Sequence, residues 1–465
     1  MKKALNFRSL KLFWLIGIGI LKRNIFLFFL TLLAILISIS AQAGFKLFYN
    51  PNRIGLGFIG TYQEHDLPVE VTRLISQSLV RADEKGHIVS NLISGWETNN
   101  DATVFKFKLK DGLRWVDGSS VKSPDLVFNV PNTEISFPDE KSIRFNLKEP
   151  YSPLPSLLTK PIIKNGSMLG TGPYKITGIE KSRIFITKIE LQPLDSALPA
   201  ITIRFYPNEK VAQTGFNLGE IQALFGFSNA KAFSDNPKAL LKQSTDYSKI
   251  VSILFNTQDS VLKNRSFRQA LSFAAPDIEN EEIANNPYPP MLWAYNPDSK
   301  KYLSNSEEAK SAMGRAKASV SEDHLKQELI LTATPNLEEV GKSVIKIWRE
   351  LGLNAKIRIE SGIAQNFQAL LITQSIPSDP DQYVLWHATQ EKTNLTKYDS
   401  KRADKDLEDG RKAVTEDERK DKYYDFQKTL LEDAPAIFLY FPKYNIAYLK
   451  KVEPNLEKVL ELIDK

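Results

Sequence analysis

The chain reads as an α/β protein with mixed sheets, and three stretches predict it. Phe105, Phe107 and Leu109 alternate with Lys106, Lys108 and Lys110. Glu328–Glu360 reads as strand, helix and strand in succession, and a long charged helix over about Thr415–Asp433 leads through Pro435 into the apolar Ile437–Phe441. Alternation at period 2 marks a strand with one buried face, and recurrence at i, i+4 and i+7 marks one face of a helix. Strands and helices interleaved along one chain are the mark of α/β organisation.

The N-terminus comes first. Apolar stretches Leu10–Leu21 and Ile25–Ser40 are separated by Lys22-Arg23-Asn24. Continued through Ala43, the second stretch is charge-free and long enough to cross about 30 Å of hydrocarbon as a helix. Bases precede it and none lies within it, which places the N-terminus in the cytoplasm and the rest outside. Ala41-Gln42-Ala43 has the small-x-small form of a signal-peptidase site. A cleaved signal peptide and an uncleaved signal anchor both fit residues 1–43.

After Gly44, Asp111-Gly112 and Asp117-Gly118 punctuate turns beyond the Phe105–Leu109 strand. Arg144–Leu147, Ile184–Ile186 and Ala200–Tyr206 read as further strands. In the clearest unit, Leu329–Leu331 forms a strand, and Pro335-Asn336 opens a helix with Asn336 as its cap and Glu338 and Glu339 in the first turn. Val340, Val344, Ile347 and Leu351 define that helix's buried face, Gly352 ends it, and Ala355–Ile359 is the next strand. Such a unit implies a parallel strand pair.

Composition narrows the function. The 465 residues suit two or three domains, with 42% hydrophobic and 25% charged residues. The net charge of +6 resides in Lys2, Lys3, Arg8, Lys11, Lys22 and Arg23, since residues 1–43 hold no acid; from residue 44 onward bases and acids balance. A nucleic-acid footprint is therefore not expected. With no cysteine, disulfides, thiol catalysis, cysteine metal sites and a lipoprotein anchor are all excluded.

Four ordered stretches resemble the family 5 extracellular solute-binding proteins, which serve ABC importers of peptides and nickel chelates. The first is Leu74–Gly86 with Asn91–Trp96. The second is Leu109–Gly118 with Ser123-Pro124-Asp125-Leu126-Val127. The third is Gly170-Thr171-Gly172-Pro173-Tyr174, and the fourth is Asn256 with Phe267–Ser272. Looser agreement continues through Asp379-Pro380-Asp381, Asn394 with Tyr398, and Arg419–Ile437. Most of these motifs read as scaffold: Trp115 as a core plug, and Gly172-Pro173 as a rigid turn.

The resemblance implies a two-lobed fold of the class II periplasmic-binding-protein type, closing on ligand by a hinge. Lobe one would be 44–253 plus 440–465, and lobe two 254–439. The short segment between Val127 and Arg144 implies a reduced third domain, and the stretch from Phe273 to Pro290 is compressed. Peptide binders of this family hold the ligand's amino group with an Asp just before the D-P-D segment. Here that neighbourhood is Thr373–Ser378, with Ile376 and no acid, unless Asp379 or Asp381 substitutes.

Candidate contacts are Tyr62, Gln63 and His65 (with Glu64 between them), Asp379 and Asp381, and Trp386 and His387, with Trp293 and Tyr295 as weaker ones. Each also has a structural reading: a solvated loop for Tyr62–His65, helix-capping acids for Asp379 and Asp381, core for Trp386 and surface for His387. The runs Asp404–Arg411 and Thr415–Lys422 mix signs and read as solvated helix faces. His65, His87, His324 and His387 show no metal spacing, and no nucleophile elbow or phosphate loop occurs. The expectation is a non-enzymatic binding protein without a cofactor. It would take a peptide-like or other small polar solute and deliver it to an ABC permease from the outer face of the membrane. A membrane-tethered sensor or interaction module that reuses the fold is the alternative.

Overall fold

The computed structural model describes Trp14 and residues 52–463, apart from 235, 236, 363 and 365. The expected signal or anchor stretch, Ile25–Ala43, lies outside the described residues. Among those described, no helix is long and apolar enough to cross a membrane.

Two large sheets organise the chain. The first has seven strands in the order Ala239–Thr245, Lys443–Leu449, Ala223–Phe227, Arg53–Ile59, Ala200–Tyr206, Phe185–Pro193 and Tyr174–Ser182. Arg53–Ile59 runs parallel to Ala223–Phe227, while Lys443–Leu449 runs antiparallel to both of its neighbours, so the sheet is mixed. The second has six strands in the order Glu282–Ile283, Ala436–Phe441, Lys249–Phe255, Ala369–Ser375, Leu329–Ala333 and Ala355–Ile359. The chain passes from the first sheet to the second through Asp246–Ser248 and returns through Pro442, whose carbonyl accepts from Asp246 N at 2.8 Å. Each sheet has its own apolar core, and each fully buried aliphatic or aromatic side chain contributes about 1.5–3 kcal/mol.

The strand–helix–strand unit forms as its pattern predicts, with Leu329–Ala333 parallel to Ala355–Ile359. Two details differ. Asn336 sits within the 3-10 turn Pro335–Leu337, and the α-helix begins at Glu338 without a side-chain cap. Proline pre-sets the turn and starts the winding one turn early. The buried face is centred on Gly341, Val344, Ile345 and Trp348, with Val340 and Leu351 as its flanks. Gly341 draws the helix onto the sheet, since a Cβ there would lie 2.5 Å from Ile357 Cδ1.

A third, antiparallel sheet of four strands, Ile93–Thr98, Val104–Leu109, Ser142–Leu147 and Thr133–Ser136, buries Phe105, Phe107 and Phe145 with Trp115. Phe105, Phe107 and Leu109 point inward and Lys106 and Lys108 outward, as the alternation predicts. Ile184 does not join its expected strand. It sits exposed at a hairpin tip after Arg183, whose φ is +56°. Gly170 and Gly172 pack on the backbone at the end of the helix Val69–Ile75, and Tyr174 is wholly buried at the start of its strand.

Candidate ligand-binding cleft

After the strand Ala369–Ser375 the chain turns inward through Asp379-Pro380-Asp381. Asp379 is 7% and Asp381 9% exposed. Buried carboxylates need partners, and two adjoining helices supply them. Arg419, in the helix Glu416–Asp433, donates from Nη2 to Asp379 Oδ1 at 2.5 Å, to the Tyr423 hydroxyl at 3.1 Å and, through Nε, to the Gly410 carbonyl at 3.2 Å. Arg411, in the helix Lys401–Lys412, places Nε 2.9 Å from Asp381 Oδ2. Asp379 Oδ1 also accepts from Asp381 N at 2.9 Å. Burial raises the Asp381 pKa against the pull of Arg411. Burial disfavours the charge on Arg419, but the adjacent Asp379 outweighs it and holds that pKa above its usual value.

The Asp379–Arg419 pair forms the floor of a cavity of about 200 Å³ whose walls include His87, Trp96, Ser152, Trp293 and Glu416. The turn before His87 is built by Asp83, whose Oδ1 accepts from Lys85 N and His87 N at 2.9 Å each, and by Gly86 at φ +80°. This turn docks against the second sheet's half of the chain: Trp293 N donates to Lys85 O at 2.9 Å, and the Trp293 ring lies parallel to His87 at 6.5 Å. His87 Nδ1 is 3.1 Å from Asp83 Oδ2 and its Nε2 is 3.3 Å from Glu416 Oε1. Aromatic walls, a carboxylate at the rim and a neutralised floor suit a small polar or cationic group. Ser152 Oγ is not poised as a nucleophile, because it donates to the Arg411 carbonyl at 3.0 Å. Among the described residues no cluster of three or more His, Asp or Glu could hold a metal ion.

The structure brings only some of the expected residues together. Asp379 and Trp293 line the cavity, and Asp381 lies directly behind Asp379. Trp386 is buried in the core of the second sheet's half and donates its indole N–H to Gln382 Oε1 at 2.8 Å. His387 is buried too, with its ring nitrogens 2.9 Å from Thr389 Oγ1 and 3.2 Å from Glu408 Oε1 and Tyr383 stacked on it at 4.0 Å. Tyr295 packs on the same core, partly buried. Tyr62 packs instead on the first sheet's core, its hydroxyl donating to Ile59 O at 2.7 Å and its ring 5.1 Å from Phe205. Gln63 N donates to Asp66 Oδ1, Glu64 pairs with Lys181 at 2.5 Å, and His65 is exposed.

Reading the charge runs as solvated faces misses Arg411, Arg419 and Glu416, and metal spacing alone says nothing of His87. Asp404–Arg411 and Thr415–Lys422 are not uniformly solvated faces, because Asp406 and Arg419 are buried. The available signal was spacing: Arg419 shares a helix face with Tyr423, Phe426 and Leu430, all of them buried.

Comparisons with known proteins give the family. The oligopeptide-binding protein AppA of Bacillus subtilis is 21% identical over 475 residues, covering 85% of this chain and 86% of its own. The dipeptide-binding protein of Escherichia coli is 20% identical over 513 residues, covering 88% and 91%. Among solved structures, the transporter substrate-binding protein CtaP of Listeria monocytogenes superimposes with a TM-score of 0.72 at 16% identity over 85% of this chain and 93% of that one. NikZ of Campylobacter jejuni, in complex with Ni(L-His), gives 0.69 at 21% over 86% and 95%. At these identities the structures establish the two-lobed fold. The model of the bacterial extracellular solute-binding proteins, family 5 Middle, matches residues 87–395, and the chain belongs to that family of binding proteins rather than to any class of enzyme.

Proposed function

We propose that the protein captures a peptide-like or other small polar solute between its lobes and hands it to an ABC permease at the outer face of the membrane. The observation that carries this reading is the cavity of about 200 Å³, whose walls come from both halves of the chain: His87, Trp96 and Ser152 from one, Trp293, Glu416 and Arg419 from the other. On this reading lobe one, about 44–253 plus 440–465, is built on the seven- and four-stranded sheets, and lobe two, about 254–439, on the six-stranded sheet, which also takes in 249–253 and 440–441. The chain would hinge where it crosses between sheets, near Asp246–Ser248 and Pro442. Residues 25–43 would keep the protein at the membrane as an uncleaved anchor, or release it after Ala43.

The names of the oligopeptide- and dipeptide-binding relatives support a peptide-like solute. The chemistry of residues 376–381 bears on how such a solute would be held. Ile376 packs on the core of lobe two, and Asp379 and Asp381 are each engaged by an arginine. A ligand amino group would therefore turn to Glu416 at the cavity rim rather than to this segment. Of the remaining expected contacts, Tyr62, Gln63 and His65 would approach the solute from lobe one, and Trp386 and His387 would support the opposite wall from behind.

Native mass spectrometry of the full chain, purified gently from its own host, tests the reading. A discrete added mass, lost in Trp293→Ala, is expected. A protein that stays empty after incubation with peptides and host extract would overturn solute capture and favour the tethered sensor or interaction module.

A further inference from the structure

Beside the first cavity lies a second recess of about 430 Å³. Its bowl is formed by residues 130–157, with Leu147, Tyr151 and Leu157 among the apolar walls, and Arg411 is the one lining residue from elsewhere in the chain. Consecutive residues line the two cavities, Tyr151 the recess and Ser152 the first cavity. We propose that this recess binds a carboxylate group of the solute between the Arg411 guanidinium and the Lys148 ammonium, an assignment that rests on the solute-binding reading above.

The geometry of Arg411 motivates the assignment. Its guanidinium carbon lies over two rings, 4.8 Å from the centroid of Tyr151 and 4.1 Å from that of Tyr383. Its Nε faces Asp381, and its carbonyl accepts from Ser152 N at 2.8 Å and Ser152 Oγ at 3.0 Å. Two aromatic rings and one carboxylate thus crowd the guanidinium, although its Nε makes no hydrogen bond among the described residues. The guanidinium also interacts with the Tyr151 hydroxyl, which burial keeps protonated by pushing its pKa up to about 12, and its Nη groups supply the donors for a ligand in the recess it lines. The side chain is 24% exposed, more than neutralising Asp381 alone would require. A planar fork of donors held rigid by two rings matches a carboxylate. Lys148 is exposed and makes no ion pair or hydrogen bond among the described residues. Glu149 on the rim and Asp381 behind Arg411 balance the two cations, so attraction would come from directed N–H donors rather than from a long-range field. Because Arg411 comes from lobe two and the bowl from lobe one, the bound carboxylate would tie the lobes together.

The test uses the full chain in detergent micelles, with trifluoroacetate as the probe, followed by its fluorine NMR signal. Saturable binding is expected, weakened about fivefold in Lys148→Gln and about tenfold or more in Arg411→Gln. Lys106→Gln, on the outer face of the four-stranded sheet, should leave it unchanged. Lys148→Gln alters only an exposed side chain and so guards against a folding defect in the arginine variant. No saturable binding, equal binding in the two recess variants and the parent, or equal weakening by Lys106→Gln would each overturn the assignment. A tripeptide pool with free carboxyl ends, compared by thermal shift with the same pool amidated, separates the two readings. If acids and amides stabilise alike, solute binding stands and the carboxylate recess falls. If neither stabilises while trifluoroacetate still binds at Arg411, the recess stands and peptide capture falls.

Discussion

Removing the Asp379 charge should strand Arg419. Their side chains are 8% and 11% exposed and their atoms meet at 2.5 Å. At an effective dielectric constant of about 20, two unit charges at that separation attract by roughly 6–7 kcal/mol. Desolvating the two ions costs several kcal/mol each, so the intact pair is near break-even against apolar replacements. Removing one partner leaves that desolvation unopposed, and Asp379→Ala should lose about 3–5 kcal/mol. Arg419→Met should lose somewhat less, because Asp379 keeps the Asp381 backbone N–H. The double variant Asp379→Ala/Arg419→Met should lose less than the sum of the two single losses, by a coupling energy of about 2–3 kcal/mol. The assay is urea unfolding followed by tryptophan fluorescence, with all variants compared on one transition, because a two-lobed chain need not unfold in a single step. A coupling below about 1 kcal/mol would mean that the pair behaves as a solvated surface bridge, and the reasoning about a buried floor would fail.

Three further perturbations follow from other parts of the structure. Asp406 is buried, its Oδ2 has no hydrogen-bond partner among the described residues, and burial, then Asp425, raises its pKa. Its folded pKa lies above the unfolded one, so the cost of its charge is fully present above the folded value and absent below the unfolded value. Asp406→Asn should therefore stabilise by on the order of 1 kcal/mol at pH 8, and a series of melts should show the gain shrinking toward pH 4; a constant gain would contradict this. Gly172→Ala would place a Cβ 2.6 Å from the Ile75 carbonyl carbon, a backbone atom that cannot swing aside, so a loss of about 2 kcal/mol or more in the same urea assay is expected. At Gly86 a Cβ would collide with Leu292 in a left-handed turn. Gly86→Ala should weaken solute retention in native mass spectrometry by about tenfold, while circular dichroism keeps the sheets intact.

What could be read from the sequence was whatever solvent contrast writes along a single element. Phe105, Phe107 and Leu109 were legible because one face of their strand is core and the other water. The helix after Pro335 was legible as a helix, but its face was misplaced by a fraction of a turn, since Gly341 counts as neutral in a hydrophobic pattern and yet packs directly on Ile357 of the sheet. Of the cavity floor the sequence pointed to Asp379 but not to Arg419. Arg419 finds its carboxylate 40 residues away, and its immediate neighbours are acids and lysines that do face water. A periodicity argument assigns charge to solvent, and it fails wherever a distant opposite charge makes burial tolerable. That failure bears on specificity. The sequence flags Ile376 as a missing acid and offers Asp379 and Asp381 as replacements, but the fold commits both to Arg419 and Arg411. Glu416 faces the first cavity beside His87, and Arg411 faces the recess with Lys148 while its Nε stays on Asp381. A solute that uses both would be held with the opposite polarity to the one the D-P-D segment suggests: its cationic end at the first turn of the helix Glu416–Asp433, its acidic end at the last turn of the helix Lys401–Lys412.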